Sequence, residues 1–211
     1  MWNEQIIMML LEGIKDTLYM TLTSTLIGYV IGLPMGILLT VTDKDGIHPN
    51  TAVYKVLDVI ANLIRSVPFL ILLIVLIPFT RFLIGRSYGP TATIVPLVIA
   101  AAPYIARMVE SSLKEVDAGV IEAARSMGAS NFTIVTKVML VEARTSLIVG
   151  ATISLGTILG YSAMAGTVGG GGLGDIAIRY GYTRWQTDIM IVTVILLVIL
   201  FLSLIHISEP T

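Results

Sequence analysis

Residues Asp117–Glu142 read D-A-G-V-I-E-A-A-R-S-M-G-A-S-N-F-T-I-V-T-K-V-M-L-V-E. This is the longest polar-interrupted stretch in a chain that is otherwise mostly hydrocarbon. Asp117 is placed to cap a helix with Ala118 to Met127 as its body, and Gly128 supplies a left-handed stop. Ser130 can cap a second helix, with Phe132, Val135 and Val138 expected on one face. A helix, a sharp turn and a helix thus lie between two apolar runs. The residues leave two readings open: an amphipathic hairpin that fixes two membrane spans at the water interface, or an element that docks into a partner.

The apolar runs on either side set the fold class. The chain has 211 residues, 55% of them hydrophobic and 13% charged, with a mean hydropathy of +0.90, which excludes a soluble domain. A hydrocarbon core about 30 Å thick takes roughly 20 helical residues. Counting uncharged runs predicts five spans at about 17–42, 66–84, 87–106, 145–168 and 189–207, the second extended past Arg81 by interfacial residues. The expected fold is therefore all-α: a single polytopic membrane domain over residues 1–211, with five transmembrane helices joined through the 117–142 hairpin. Met1 to Asp16 reads as a separate interfacial helix, and no removable signal peptide is evident at the start.

Composition also excludes several chemistries. There is no cysteine, so disulfides, thiolate metal sites and cysteine nucleophiles are absent. The two histidines, His48 and His206, stand far apart with no carboxylate cluster beside either, so no metal site is expected. A net charge of −1 offers nothing to neutralise a row of phosphates, and no nucleic-acid partner is expected.

Orientation follows from counting Lys and Arg on each side of the spans. Eight fall with the 43–65 and 107–144 segments, and five (Lys15, Arg81, Arg86, Arg179 and Arg184) fall on the other side. The excess places the 117–142 hairpin in the cytoplasm and the N-terminus outside.

Inside the spans, small residues and prolines carry the pattern. Gly28, Gly32 and Gly36 strip side chains from one stripe of the first span, as close packing within the chain requires, and Pro34 is expected to bend it. In Arg65-Ser66-Val67-Pro68-Phe69, Arg65 is expected at the cytoplasmic interface. The Ser-Val-Pro step frees backbone groups, and Pro68 and Pro78 bracket a segment of only about ten residues, a hint that this helix lines a pathway whose shape changes. Glu110 and Lys114 stand four apart and are expected to pair on a solvated face. The glycine-rich run from Thr167 to Gly174 lacks the Gly-Lys-Ser/Thr ending of a nucleotide-binding loop. It reads instead as a flexible exit loop or as a hinge.

Taken together, Glu122-Ala123-Ala124, Gly128-Ala129 and Val138-x-Leu140 resemble the EAA loop of ABC importer permeases. One departure is Val141, where the family usually has proline. The R-S-V-P-F string resembles the methionine-uptake branch of that family. So does Tyr161-Ser162-Ala163-Met164-Ala165-Gly166, followed by Val168-Gly169-Gly170-Gly171-Gly172-Leu173-Gly174 and Tyr180-Gly181-Tyr182. The resemblance implies a permease of the bacterial inner membrane that carries methionine, in the D or L form, by alternating access. It also implies a homodimer, two separate ATPase subunits that hold the ATP and Mg, an extracytoplasmic methionine-binding protein, and no cofactor on this chain. By the same resemblance Glu122, Ala123, Ala124, Gly128 and Ala129 meet the ATPase, while Tyr161, Ser162, Met164, Ser66 and Pro68 line the pathway or its gate. Members of the family usually finish in a short basic stretch, and the last residues of the Leu202–Thr211 end, which lacks one, are read as a non-native scar.

Three other functions compete with this one. A secondary carrier or channel normally places ionisable groups at mid-membrane, and the predicted spans hold no Asp, Glu or Lys. An intramembrane hydrolase needs a base beside Ser66, Ser154 or Ser162, and the central spans supply no histidine or carboxylate. A permease of the same architecture for another amino acid stays open.

Overall fold

The structure, a computed structural model, describes residues 4–208, with side chains through residue 206. The expected non-native end at 209–211 lies outside the described residues. Ten helices follow in chain order among them. Helix α1 is Glu4–Thr42, α2 Thr51–Ser66, α3 Phe69–Val75, α4 Ile77–Ile84 and α5 Pro90–Lys114. Helix α6 is Ala118–Ser126. Helix α7 begins at Asn131–Thr133, widens into a π-helical stretch at Ile134–Met139 and closes at Leu140–Glu142. Helix α8 is Arg144–Ala165, followed by a 3₁₀ turn at Gly166–Val168. Helix α9 is Gly172–Ile176, continued by a π-helical stretch at Ala177–Tyr182, and α10 is Thr187–Ser208. No strand occurs among the described residues.

Four helices are long and apolar enough to cross a membrane, or five if the bent pair α2–α3 counts as one span. The N-terminal segment is not a separate interfacial helix: α1 runs unbroken from Glu4, and Leu10 and Gly13 are buried against Leu173 and Ile176 of α9. Pro34 sits inside this continuous helix.

Helices α1 and α5 form the centre of the packing. A Cβ on Gly28 would sit 2.9 Å from Ile105, one on Gly32 2.7 Å from the Ala102 carbonyl, and one on Gly36 2.5 Å from the Ala106 carbonyl. The glycine stripe is filled by α5 of the same chain, so it serves internal packing. Met20, Leu97, Ile105 and Val109 bury fully in the same core.

The second span departs most from expectation. A further helix, α2, precedes residue 66 and bends by 102° into α3 at Val67 and Pro68. Proline has no N–H to continue the helix and forces its predecessor out of the helical region, and Val67 is extended at φ −85° and ψ 126°. Pro78 sits in the first turn of α4, where a missing N–H costs nothing.

The glycine-rich run is not slack. A Cβ on Gly166 would lie 2.2 Å from the Asp175 backbone nitrogen, and one on Gly174 2.1 Å from the Ala163 carbonyl oxygen. Thr17 Oγ1 accepts from Leu173 N at 2.9 Å and donates to the Gly13 carbonyl at 2.8 Å, and the Gly89 amide donates to Gly169 O at 2.9 Å. These bonds pin α1, α5 and α9 together at the end of the molecule away from the hairpin.

Candidate functional site: a docking hairpin and an elbow cavity

The hairpin forms by the local rules read from its sequence. Asp117 caps α6 by accepting from Gly119 N at 2.7 Å. Gly128 takes φ +80°, which ends the helix in the left-handed region glycine favours. Ser130 caps α7 by accepting from Thr133 N at 3.2 Å. Arg125 donates to the Ile47 carbonyl at 2.8 Å, which ties α6 to the 43–50 turn.

What the hairpin presents differs in part from expectation. Ala124 is 5% exposed and packs into the core with Ile134, Val135 and Met139. Glu122, Ala123 and Gly128 are exposed, Ala129 is half-buried, and no atom of the chain lies within 4 Å of a Cβ built on Gly128. Phe132 does not share a buried face with Val135. The π-helical stretch behind it carries i→i+5 bonding and so changes the facing of residues on either side, leaving Phe132 78% exposed. Met127 on the other side of Gly128 is 82% exposed. Two large apolar side chains therefore flank a glycine turn in open space, which the sequence pattern alone did not isolate.

Behind the hairpin, charges connect three elements. Arg107 on α5 pairs with Asp58 of α2, donates to Glu110 at 2.6 Å, and donates to Asn62 Oδ1 at 2.9 Å. Lys114 reaches Asp43 at 2.6 Å and Glu110 at 2.8 Å. The Lys114 hydrogen bond holds the Asp43 carboxyl below the usual aspartate range. Glu110 and Lys114 do pair, but not on a solvated face: Glu110 is 5% exposed and held between Arg107 and Lys114. Asp58 also brings a carboxylate onto a helix that the residue pattern had left outside the spans, and Arg107 neutralises it.

The second constellation lies at the elbow between α2 and α3. Phe69 stacks on Tyr161 of α8, with ring centroids 4.5 Å apart and planes 6° from parallel. A cavity of about 190 Å³ opens beside them, lined among others by Arg65, Leu72 and Tyr104. Ser66 and Pro68 form the bend itself, with Ser66 Oγ bonded to the Asn62 carbonyl at 2.6 Å. Tyr161 thus lines the cavity, whereas Ser66 and Pro68 are exposed at the bend beside it. Ser162 is elsewhere, buried with its hydroxyl donated to Leu159 O at 2.8 Å, and Met164 is half-exposed further along α8.

A family model described as "Binding-protein-dependent transport system inner membrane component" matches residues 16–209. The chain belongs to this family. Among the inner-membrane components it is similar to, the probable D-methionine transport system permease protein MetI of Vibrio cholerae is 47% identical over 192 residues, covering 91% of this chain and 85% of that protein. The D-methionine transport system permease protein MetI of Escherichia coli K12 is 50% identical over 164 residues, covering 78% and 76%. A chain of the MetNI methionine ABC transporter, solved in inward-facing conformations, superposes with a TM-score of 0.96 at 47% identity over 98% of this chain and 96% of that one. An amino acid ABC transporter matches at TM-score 0.79 and 21% identity, which shows the shared fold. As an inner-membrane component of a binding-protein-dependent system, the chain is a permease subunit and not an enzyme.

Proposed function

We propose that this chain is the permease of a methionine importer, taking D- or L-methionine across the bacterial inner membrane as a homodimer. Two ATPase subunits bind on the cytoplasmic side, with their ATP and Mg, and a methionine-binding protein delivers substrate from outside. The observation that carries the reading is similarity over nearly the whole chain to a subunit of a methionine ABC transporter, at 47% identity and a TM-score of 0.96. The methionine-permease names of the relatives from V. cholerae and E. coli support the same substrate.

In this reading the N-terminus is outside and the hairpin is cytoplasmic, as the excess of Lys and Arg near the hairpin favours. The ATPase contact is made by Glu122, Ala123, Gly128 and Ala129, joined by Met127 and Phe132, whose exposure supports a docking role. Ala124 supports the contact from beneath. Closure of the two ATPase subunits moves the paired hairpins together, and Arg125 and the charge network behind it pass that motion to α2 and the elbow. Tyr161, Ser66 and Pro68 belong to the pathway, with Met164 and Ser162 nearer its outer end.

The test is uptake of labelled methionine into vesicles that hold this chain, its ATPase and its binding protein. Uptake that needs all three, and ATP, supports the reading. Uptake that proceeds without the ATPase makes the chain a carrier and removes the hairpin's role. Stimulated ATP hydrolysis with no methionine uptake keeps the architecture and points to another amino acid.

A further inference from the structure

Helix α2 is held to the rest of the chain by charge more than by packing. Of its 16 residues only Ala61 is buried, and none joins the buried apolar core around Ile105 and Val109. Val56, Val59 and Leu63 are exposed on the face that looks away from α5. The face toward α5 carries Asp58 and Asn62. Arg107 Nη2 pairs with the Asp58 carboxylate, reaches the Asp58 carbonyl at 3.4 Å and donates to Asn62 Oδ1 at 2.9 Å. Asn62 Nδ2 donates in turn to Asp58 Oδ1 at 3.1 Å. Lys114 adds a cation–π contact, its ammonium 5.9 Å from the centre of the Tyr54 ring. Arg107 Nε is buried with no hydrogen-bond partner, so the guanidinium grips α2 and Glu110 from its Nη atoms alone. Such a clasp can open without repacking the core, whereas the glycine-lined seam of α1 and α5 cannot.

A hinge stands at one end of the clasped helix. Val67 is extended, Pro68 has no N–H, and α2 turns by 102° into α3 there, so rotation at two residues moves the whole of α2. At the other end a line of polar contacts leads to the hairpin. Glu110, the second carboxylate on Arg107, is shared with Lys114 at 2.8 Å. Lys114 holds Asp43 at 2.6 Å, and Asp43 opens the 43–50 turn whose Ile47 carbonyl accepts from Arg125 of the hairpin at 2.8 Å. A shift of the hairpin therefore moves the turn, the carboxylate that Lys114 holds, and with Lys114 the share of Glu110 left to Arg107.

We propose that the Arg107–Asp58 clasp is a releasable latch. Closed, it keeps α2 along α5 and the permease open to the cytoplasm; opened by the hairpin when the ATPase subunits close, it frees α2 to swing about the Val67–Pro68 joint. Arg107 and Asp58 are positioning residues in this scheme, acting through α2 and not on substrate. The transporter chain of matching shape was solved in inward-facing conformations, which agrees with a clasp closed at rest. This rests on the importer reading above and adds to it the contact that sets the balance of the two transport states. A contact made in only one of two states biases them by its own free energy, which for hydrogen bonds between charged groups is a factor of about ten or more.

The experiment uses the complete importer in proteoliposomes: this chain, its ATPase and its binding protein. The chain has no cysteine, so Val56→Cys on the exposed face of α2 takes a single spin label in each permease copy when labelled before assembly. The distance between labels is read by pulsed electron resonance without nucleotide and with ATP trapped, beside ATP hydrolysis and uptake of labelled methionine. With Asp58 in place, the two conditions are expected to give different distances. Asp58→Ala is expected to shift the nucleotide-free population toward the ATP-trapped distances by about tenfold or more, to raise ATP hydrolysis without the binding protein, and to increase the ATP consumed per methionine. Asp58→Asn, which keeps an acceptor for the guanidinium but not its charge, falls between, and decides the matter if Asp58→Ala does not assemble. An unshifted distribution in an assembled variant, ATP hydrolysis and uptake that fall together in proportion, or failure of both variants to assemble makes the contact structural and overturns the latch. So do parent distances that ignore ATP. A parent complex with no ATP-dependent uptake of any amino acid overturns the importer reading and the latch with it, whereas normal parent uptake with unshifted variants overturns the latch alone.

Discussion

Gly128→Asp separates the docking role of the hairpin from its folding. The residue stands at φ +80°, and nothing in the chain lies within 4 Å of a Cβ placed there. The internal cost is therefore backbone strain alone, about 1–2 kcal/mol for an ordinary residue and less for Asp or Asn, which visit this region readily. The chain should still insert and accumulate in the membrane. A carboxylate between Met127 and Phe132 would, however, be forced into any surface that covers those side chains, and burying an unpaired charge costs far more than the strain. Uptake is therefore expected to fall to background in Gly128→Asp. Gly128→Asn, with the same shape and backbone preference but no charge, should retain more activity. Uptake and membrane level would be measured together in vesicles. Unchanged uptake at normal expression refutes the docking role, and absence of the protein from the membrane refutes the claim that the fold tolerates the change.

Other consequences can be checked more simply. Met127→Ala and Phe132→Ala should leave the thermal stability of the purified chain unchanged but weaken its co-purification with the ATPase, since both side chains are more than three-quarters exposed. Arg107→Ala leaves Asp58 without its cation and Glu110 with Lys114 alone, and should destabilise the chain by about 1–3 kcal/mol, read as an earlier melting midpoint in detergent. A midpoint within a degree of wild type would show the network to be dispensable. Gly174→Val drives a side chain into the Ala163 backbone, where no flexible group can yield, and should abolish accumulation in the membrane.

Local chemistry made the hairpin legible. Asp117, Gly128 and Ser130 act on amides within three residues of themselves, so their roles could be read without knowing the rest of the chain. The α1 glycine stripe was legible for a similar reason, because a four-residue repeat implies a helical neighbour even when it does not name one. What failed depends on distant partners. Asp58 meets Arg107 across 49 residues, so a count of uncharged runs does not reveal the helix that carries it. Phe132 was misplaced because a π-helical stretch shifts the facing of residues in a way that a 3.6-residue period does not anticipate. The burial of Ala124 likewise depends on residues ten or more positions away, Ile134 and Met139, on which α6 lies.

The seating of α1 on α5 limits which parts of the molecule can move. With backbone carbonyls of α5 standing where Cβ atoms of α1 would be, neither helix can slide past the other without steric collision. The two behave as one rigid beam running the full depth of the bilayer. Any rocking of the transporter must then be taken up at the beam's edges: at the Val67–Pro68 joint, and along α8, whose Tyr161 rides on the far side of that joint. The beam supplies the fulcrum and the proline joint the lever, so the shape of the passage changes while its frame stays fixed.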